Sequence, residues 1–390
     1  MYENLKYLSP MLQNAVEQKV AMGGRLSVFK GEENIFRESF GWADAEKQIP
    51  MGDGAIFRLF SLTKPVTAAA LMILLERGRI ELRYPLKWFI PAFENPMVLD
   101  ENGSRPADRD ITLRDLLTMT SGIPYPEDTP SGHKMGEVWG RQADCYLKGG
   151  ELLSTGDFVR EMGKCPLSFT PGLRWMYGAS ADVLGAVIEI ISGKKLSEFM
   201  REEIFEPLGM NDTGFWIPPE KYSRLVTAYD RRQEGDSQIM VPYREFSLCL
   251  TDYSEPPAFE SGGAGLVSTL EDYEKFVGML AGRGAYKGVR ILGRQTVELM
   301  TRNFLTPEQC PPVWDSMIGH GYGAFMRILT DPAAAGMGGS PGEYGWDGWL
   351  GCYFSVDPVN NLYMLYFIQQ TNSGCTEFVR RLQNVIRASV

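Results

Sequence analysis

The stretch FSLTKPVTAAALMILLERGRI, residues 60–80, begins with a polar Ser-Leu-Thr-Lys segment and continues into a long apolar run. Apolar residues fill nearly every position from Pro65 to Leu75, which predicts a helix buried on all sides. This run is too short to cross a bilayer, which takes roughly 20 residues, so we interpret it as a core helix. The first turn of that helix places the Ser61 hydroxyl and the Lys64 amine on one face.

This pair of side chains fits two different roles. A serine hydroxyl becomes a nucleophile when a neighbouring base takes its proton, and a buried lysine can be that base because burial disfavours its charged form. Free N–H groups at the helix start can also stabilise an oxyanion. Alternatively, Ser61 caps the helix and Lys64 lies in solvent. Three further Ser-x-x-Lys pairs are expected in a strand, in a loop and after a helix end: Ser27/Lys30, Ser131/Lys134 and Ser192/Lys195.

The composition favours a globular protein that acts on small molecules. The 390 residues are 44% hydrophobic, enough for a sizeable core and for two structural units. The formal net charge of −10 argues against a nucleic-acid or anionic-membrane partner. The first twenty residues lack the zones of a signal peptide, so a cytoplasmic location is expected. The six cysteines lie far apart without a CxxC pair, and we expect them to be reduced.

Both ends of the chain predict parts of one antiparallel sheet. After an N-terminal helix, residues 25–44 have a hairpin pattern, and residues 321–329, 348–357 and 361–371 are predicted strands before a final helix from about Cys375. Helical segments and loops rich in Pro, Gly and Asp lie between them. The predicted fold class is therefore α/β (α+β). Residues 1–85 and 256–390 form a discontinuous sheet domain, residues 86–255 form a mainly helical inserted domain, and the site lies in the cleft between them.

Two other kinds of site have little support in the sequence. The segment GGSPG, residues 338–342, matches the G-x-S-x-G nucleophile elbow, but Pro341 has no N–H for an oxyanion and both histidines precede Ser340. A tight turn before a strand is expected there instead. Because His133 and His320 are far apart and neither HExxH nor a nucleotide-binding glycine motif is present, no metal or other cofactor is predicted.

The motif Ser61-Leu-Thr-Lys64 resembles the nucleophile motif of the serine β-lactamase and penicillin-binding protein superfamily. Residues 111–125, 169–189, 204–215, 261–276 and 345–351 resemble further segments of that superfamily, in the same order. The resemblance implies a class C β-lactamase-like (β-lactamase/transpeptidase-like) fold. It also implies Ser61 as the nucleophile, Lys64 as its proton acceptor and Tyr177 as the second acid/base. The backbone N–H groups of Ser61 and Trp349 are the implied oxyanion hole.

Two departures from the superfamily pattern change the expected substrate. Tyr177-Gly178-Ala179 lacks the asparagine of the Tyr-x-Asn motif, and Trp346-Asp347-Gly348 lacks the cation that attracts a substrate carboxylate. The segments YGASADVLG and GWDG are similar to the pattern of family VIII carboxylesterases. We therefore expect a serine hydrolase of small neutral carboxylic esters, or of a related amide, with Tyr125, Trp346, Asp347 and Gly348 as substrate-binding residues.

Several alternatives stay open at this point. A β-lactamase, a D-alanyl-D-alanine carboxypeptidase or an acyltransferase would use the same acyl-enzyme. A catalytically silent sensor is disfavoured because Ser61, Lys64 and Tyr177 are all present. Asp347 could repel anionic substrates, bind an amine or pair with an arginine. The sequence does not indicate an oligomeric state.

Overall fold

The computed structural model describes residues 2–235, 237–244, 247–309 and 314–390, so the prediction for Cys310 lies outside the described residues. The described strands are β1 (Gly23–Lys30), β2 (Glu33–Asp44), β3 (Ile49–Pro50), β4 (Ile56–Arg58), β5 (Met97–Asp100), β6 (Gly103–Pro106), β7 (Tyr229–Glu234), β8 (Ser237–Pro242), β9 (Val267–Thr269), β10 (Ala285–Tyr286), β11 (Val289–Arg290), β12 (His320–Tyr322), β13 (Arg327–Leu329), β14 (Tyr344–Asp347), β15 (Tyr353–Asp357) and β16 (Leu362–Ile368).

The described helices lie before, between and after these strands. They are α1 (Leu8–Glu17), α2 (Thr63–Glu76), α3 (Leu113–Leu117), α4 (Pro130–Leu147), α5 (Thr155–Met162), α6 (Ser180–Ser192), α7 (Leu196–Met200), α8 (Glu206–Leu208), α9 (Leu270–Ala281), α10 (Arg294–Met300), α11 (Pro332–Ala335) and α12 (Glu377–Arg387). Among them, none combines the length and the apolar character that a membrane span requires.

Eight of the described strands form one sheet in the order β12-β13-β14-β15-β16-β1-β2-β3, and every neighbouring pair is antiparallel. Strand β1 pairs with β16 on one side and with β2 on the other, so the two ends of the chain meet inside the sheet. Helices α1 and α12 pack on one face, and α9 packs against β15 and β16 on the other, where α2 joins the same hydrophobic core. The predicted antiparallel sheet with flanking terminal helices is confirmed.

Strands β4 and β9 bring together the points where the chain leaves and rejoins the sheet region. They pair in antiparallel register, with Ile56 opposite Thr269 and Arg58 opposite Val267. Helices α3 to α8 and the hairpins β5–β6 and β7–β8 lie between them in sequence. This arrangement agrees with an inserted unit, while the division into two domains at residues 85 and 256 stays a prediction.

Helix α2 is the core helix that the apolar run predicts. Every residue from Thr63 to Leu74 is buried. Each fully buried Leu, Ile or Met side chain contributes about 1.5–3 kcal/mol relative to an exposed one. The helix is therefore held on all sides, and the Lys64 side chain in its first turn is buried with it.

Two sequence predictions about local structure are wrong. Residues 321–329 are two strands, β12 and β13, because Phe325 takes a φ of 56° and the Gly323 N–H donates to the Met326 carbonyl at 2.8 Å. Residues 348–352 form the turn between β14 and β15, closed by a 2.8 Å hydrogen bond from the Gly351 N–H to the Gly348 carbonyl. In both places the chain reverses within a segment whose composition is apolar throughout.

The prediction of a loop around Ser131 and Lys134 is also wrong, because helix α4 begins at Pro130. Thr129 is the N-cap, and its Oγ1 accepts a 3.1 Å hydrogen bond from the Gly132 N–H. Proline is favoured in the first helical turn because its missing N–H has no helical partner there. The many Pro and Gly residues around this start signal favour a loop by composition. In the structure, Ser131 and Lys134 lie in the first turn of α4.

Candidate active site

Ser61 lies in a 3₁₀ turn, Phe60–Leu62, that joins β4 to α2. Phe60 has a φ of 47°, a left-handed conformation that is uncommon for a residue with a side chain. Among the described residues no side chain caps the turn or α2, whose N-cap position is Leu62. The helix-cap interpretation of Ser61 is therefore wrong.

The Lys64 side chain is fully buried at the start of α2. Its Nζ lies 3.2 Å from Ser61 Oγ, 3.2 Å from the Tyr125 hydroxyl and 2.8 Å from the Gly263 carbonyl oxygen. Burial lowers the pKa of Lys64 to about 7, although the negative charges of Asp182 and Asp347 act in the opposite direction. Near neutral pH, a large fraction of this amine is thus uncharged and able to accept a proton.

Tyr177 reaches the same point from the loop that precedes α6. The Lys64 Nζ lies 4.6 Å from the centre of its ring. Burial raises the pKa of Tyr177, although hydrogen bonding with Ser61 and Trp346 lowers it, so the phenol keeps its proton at neutral pH. Gly178 is required next to it, because a Cβ there would lie 2.0 Å from the Ile123 carbonyl oxygen. The structure therefore brings Ser61, Lys64 and Tyr177 together.

Aromatic side chains surround the Tyr177 ring. Their ring centres lie 5.9 Å (Tyr125), 6.2 Å (Trp175), 5.3 Å (Trp314) and 5.7 Å (Trp346) from that of Tyr177. Trp346 is only 2% exposed, whereas Trp314 is 41% exposed. The wall around the reactive side chains is therefore weakly polar and partly open to solvent.

The turn after β14 passes close to Ser61. A Cβ at Gly348 would lie 2.2 Å from the Leu59 carbonyl oxygen, so only glycine fits at this position. The rings of the next residue, Trp349, and of Phe60 have centres 5.4 Å apart. The indole Nε1 of Trp349 donates a 2.7 Å hydrogen bond to Asn372 Oδ1, which holds this side chain in place. Glycine at 348 thus places the Trp349 backbone beside the Ser61 turn.

A family model described as Beta-lactamase matches residues 10–386. The chain belongs to the beta-lactamase family. It is similar to Protein Rv1367c of Mycobacterium tuberculosis (strain ATCC 25618 / H37Rv), with 31% identity over 94% of this chain and 90% of that protein. It is also similar to Esterase EstB of Burkholderia gladioli, with 29% identity over 94% and 91% of the two chains.

A solved structure, "EstCE1, a hydrolase with promiscuous acyltransferase activity", superposes with a TM-score of 0.81 at 24% identity and covers 99% of this chain and 98% of that one. This likeness shows a shared fold. The predicted superfamily resemblance and fold class are confirmed, and the protein is a serine hydrolase of the beta-lactamase family.

In this member of the beta-lactamase family, Asp347 forms an ion pair with Arg327. Arg327 is buried, donates a 3.1 Å hydrogen bond to Ser316 Oγ and lies 4.9 Å from the Trp346 ring centre. Burial alone would lower the pKa of Arg327, but the attraction of Asp347 raises it. Of the three roles considered for Asp347, pairing with an arginine is the one observed.

Sequence reasoning missed Arg327 and Asp182. Asp182 lies in the first turn of α6, is fully buried and accepts hydrogen bonds from Ser261 Oγ (2.5 Å) and the Gly263 N–H (3.1 Å). A single acidic residue within the apolar pattern ADVLGAVI, residues 181–188, was the available signal. No comparable signal marks Arg327, because its partner is 20 residues away in sequence.

The rival motifs lie outside this cluster. Ser340 occupies a turn before β14, where its Oγ donates a 2.8 Å hydrogen bond to Asp357 Oδ2 and its carbonyl accepts from the Glu343 N–H at 2.9 Å. The described ranges contain no group of three or more His, Cys, Asp or Glu residues that could hold a metal ion.

Proposed function

We propose that this protein is a carboxylesterase that hydrolyses small neutral esters through an acyl-enzyme on Ser61. The observation that supports this most directly is the buried Lys64 amine, 3.2 Å from Ser61 Oγ, with its pKa lowered to about 7. In the uncharged form, Lys64 accepts the hydroxyl proton as Ser61 Oγ bonds to the ester carbonyl carbon. The backbone N–H groups of Ser61 and Trp349 then stabilise the oxyanion.

Tyr177 supplies the proton for the second half of acylation. Its raised pKa keeps the phenol protonated at neutral pH, and its ring lies over the Lys64 amine. As the tetrahedral intermediate collapses, the C–O bond to the alcohol breaks, Tyr177 protonates the leaving oxygen, and the proton held on Lys64 restores the phenol. A water molecule then attacks the acyl carbonyl carbon, and the same groups take its proton and pass it to Ser61 Oγ as the ester bond to Ser61 breaks and the carboxylic acid is released.

The walls around these residues favour an uncharged substrate. Trp346 and Trp314 provide aromatic surface next to Tyr177, and the charges of Asp347 and Arg327 compensate each other. A carboxylate placed here would find no free cation in the third motif, whereas an ester needs none. The relative named Esterase EstB, which matches over 94% of this chain, supports the same substrate class.

A comparison of two chromogenic substrates tests this proposal. We expect wild-type protein to hydrolyse p-nitrophenyl butyrate with a kcat/KM at least about 100-fold above that for a chromogenic cephalosporin, because the latter carries a carboxylate. Ser61→Ala, measured in parallel, corrects for any background. A preference for the cephalosporin, or an ester rate that survives in Ser61→Ala, would contradict the proposal.

A further inference from the structure

The buried Lys64 amine has no carboxylate as a direct hydrogen-bond partner among the residues that the structure describes. Its partners are the oxygens of Ser61, Tyr125 and Gly263, all of which are neutral. A buried ammonium group without a nearby negative charge is strongly destabilised. The carboxylates whose charges act on Lys64 are Asp182 and Asp347.

These two carboxylates differ in their own partners. Asp347 is neutralised by the guanidinium of Arg327. Asp182 is fully buried and forms no ion pair within the described ranges, and the positive charge that acts on it is that of Lys64. Its Oδ2 atom has no hydrogen-bond partner in those ranges. Asp182 is therefore the carboxylate whose charge is left for Lys64.

Two short routes connect Asp182 to the Lys64 amine. The first is the Gly263 residue, whose N–H donates to Asp182 Oδ1 at 3.1 Å and whose carbonyl accepts from Lys64 Nζ at 2.8 Å. The second is the Tyr125 hydroxyl, which lies 3.2 Å from Lys64 Nζ and whose pKa is raised by burial and by the negative charge of Asp182. A Cβ placed on Gly263 would lie 2.8 Å from Asp182 Oδ2 and 2.9 Å from the Tyr125 hydroxyl, so these two oxygens face the same small space.

We propose that Asp182 is a positioning residue, whose carboxylate provides the counter-charge for Lys64 and orients its amine toward Ser61 through Gly263 and Tyr125. This inference rests on the proposed function, because it takes Lys64 as the base. Burial leaves the pKa of Asp182 raised, and the attraction of Lys64 and the hydrogen bonds from Ser261 and Gly263 oppose this rise by stabilising the charged form. The remaining groups around the amine are the neutral phenols Tyr125 and Tyr177 and the Asp347–Arg327 pair.

The pH dependence of acylation distinguishes this role from a merely structural one. In wild type, kcat/KM should fall on the acid side with an apparent pKa near 7, because protonated Lys64 cannot accept the Ser61 proton. Asp182→Asn removes a negative charge that raises the pKa of Lys64. The acid limb of this variant's kcat/KM profile should therefore move to lower pH by about 1 unit. Asp272→Asn is the matched control, since Asp272 is also a buried aspartate in the first turn of a helix, α9.

The measurement uses p-nitrophenyl butyrate, and burst titration counts the active sites. The pH at which kcat/KM falls on the acid side does not depend on the fraction of protein that folds. Asp182→Ser provides a second neutral variant with a smaller side chain, which can still accept a hydrogen bond. A downward shift in either Asp182 variant, absent from Asp272→Asn, supports the inference.

A limb that stays in place or moves to higher pH would overturn the inference while leaving the proposed function intact. A folded Asp182 variant that reacts with neither the ester nor a fluorophosphonate at any pH would also overturn it, because removal of a counter-charge leaves Ser61 and Lys64 in place. Wild-type protein without any ester hydrolysis would instead reject the proposed function itself.

Discussion

Two Ser-x-x-Lys pairs in this protein have the same spacing and both lie near the start of a helix, yet they have different surroundings. Ser61 and Lys64 span the 3₁₀ turn and the start of α2, and Ser131 and Lys134 lie in the first turn of α4. The Lys64 amine is fully buried and contacts the Ser61 hydroxyl. The Lys134 side chain is 52% exposed and pairs with Glu137 at 2.7 Å, while Ser131 Oγ is hydrogen-bonded to Ser168 Oγ at 2.7 Å.

This difference shows that the motif does not by itself specify chemistry. A solvated lysine paired with a carboxylate stays protonated and cannot accept a proton at neutral pH. A lysine enclosed by apolar and neutral groups loses much of its preference for the charged form. The reactivity expected of Ser61 and Lys64 therefore depends on the packing of α2 and of the aromatic side chains around the pair.

The largest difference between the two pairs is expected for their hydroxyls. Ser61→Ala should lower ester turnover by roughly 10⁴-fold or more, because no other group can form the acyl-enzyme. Ser131→Ala should retain turnover and lose about 1 kcal/mol of stability through the missing hydrogen bond to Ser168. Steady-state kinetics and thermal unfolding measure both effects. Equal losses of activity in Ser61→Ala and Ser131→Ala would contradict the distinction between the two Ser-x-x-Lys pairs.

A smaller difference is expected for the two amines. Lys64→Ala should lower kcat by roughly 10²-fold or more, because the proton acceptor for Ser61 is lost. Lys134→Ala should leave kcat within about twofold of wild type, since its exposed ion pair with Glu137 contributes little to stability and lies outside the candidate site. Wild-type kcat in Lys64→Ala would show that another group is the base.

The smallest effect tests whether burial or the lack of a carboxylate separates the pairs. Glu137→Gln removes the ion-pair partner of Lys134 but leaves this amine in solvent. We therefore expect fluorophosphonate labelling, mapped by peptide mass spectrometry, to remain confined to Ser61 in both wild type and variant. Label on Ser131 in the variant alone would mean that the Glu137 carboxylate, rather than exposure, keeps this pair inactive.

The sequence predicted the elements with strong local patterns. The core helix after Ser61 and the strand β16 are apolar runs, the N-terminal hairpin and the final helix have their own local patterns, and the structure contains all four. Ser61, Lys64 and Tyr177 were expected together from motif order alone, and the structure places them in contact distance. Their assigned roles still require the experiments described above.

Other features depend on contacts that no local pattern contains. The pairing of Asp347 with Arg327 and the enclosure of Asp182 by Ser261 and Gly263 arise from tertiary packing between distant segments. The α4 start was missed for a different reason: a Thr-Pro start signal lay within a segment rich in loop-forming residues. The Pro and Gly content of this segment favours a loop, whereas the helix start depends on the single capping residue Thr129.

The pairing of β1 with β16 has a consequence for how the protein is made. Because β1 leaves the ribosome early and β16 late, β1 waits on the order of tens of seconds for this neighbour during synthesis. During that time one edge of β1 is unpaired and open to other nascent chains. Helix α2 shares a hydrophobic core with Leu365 and Phe367 of β16, so a ribosome-bound chain that stops before Leu362 should carry the Ser-x-x-Lys motif without that part of its core.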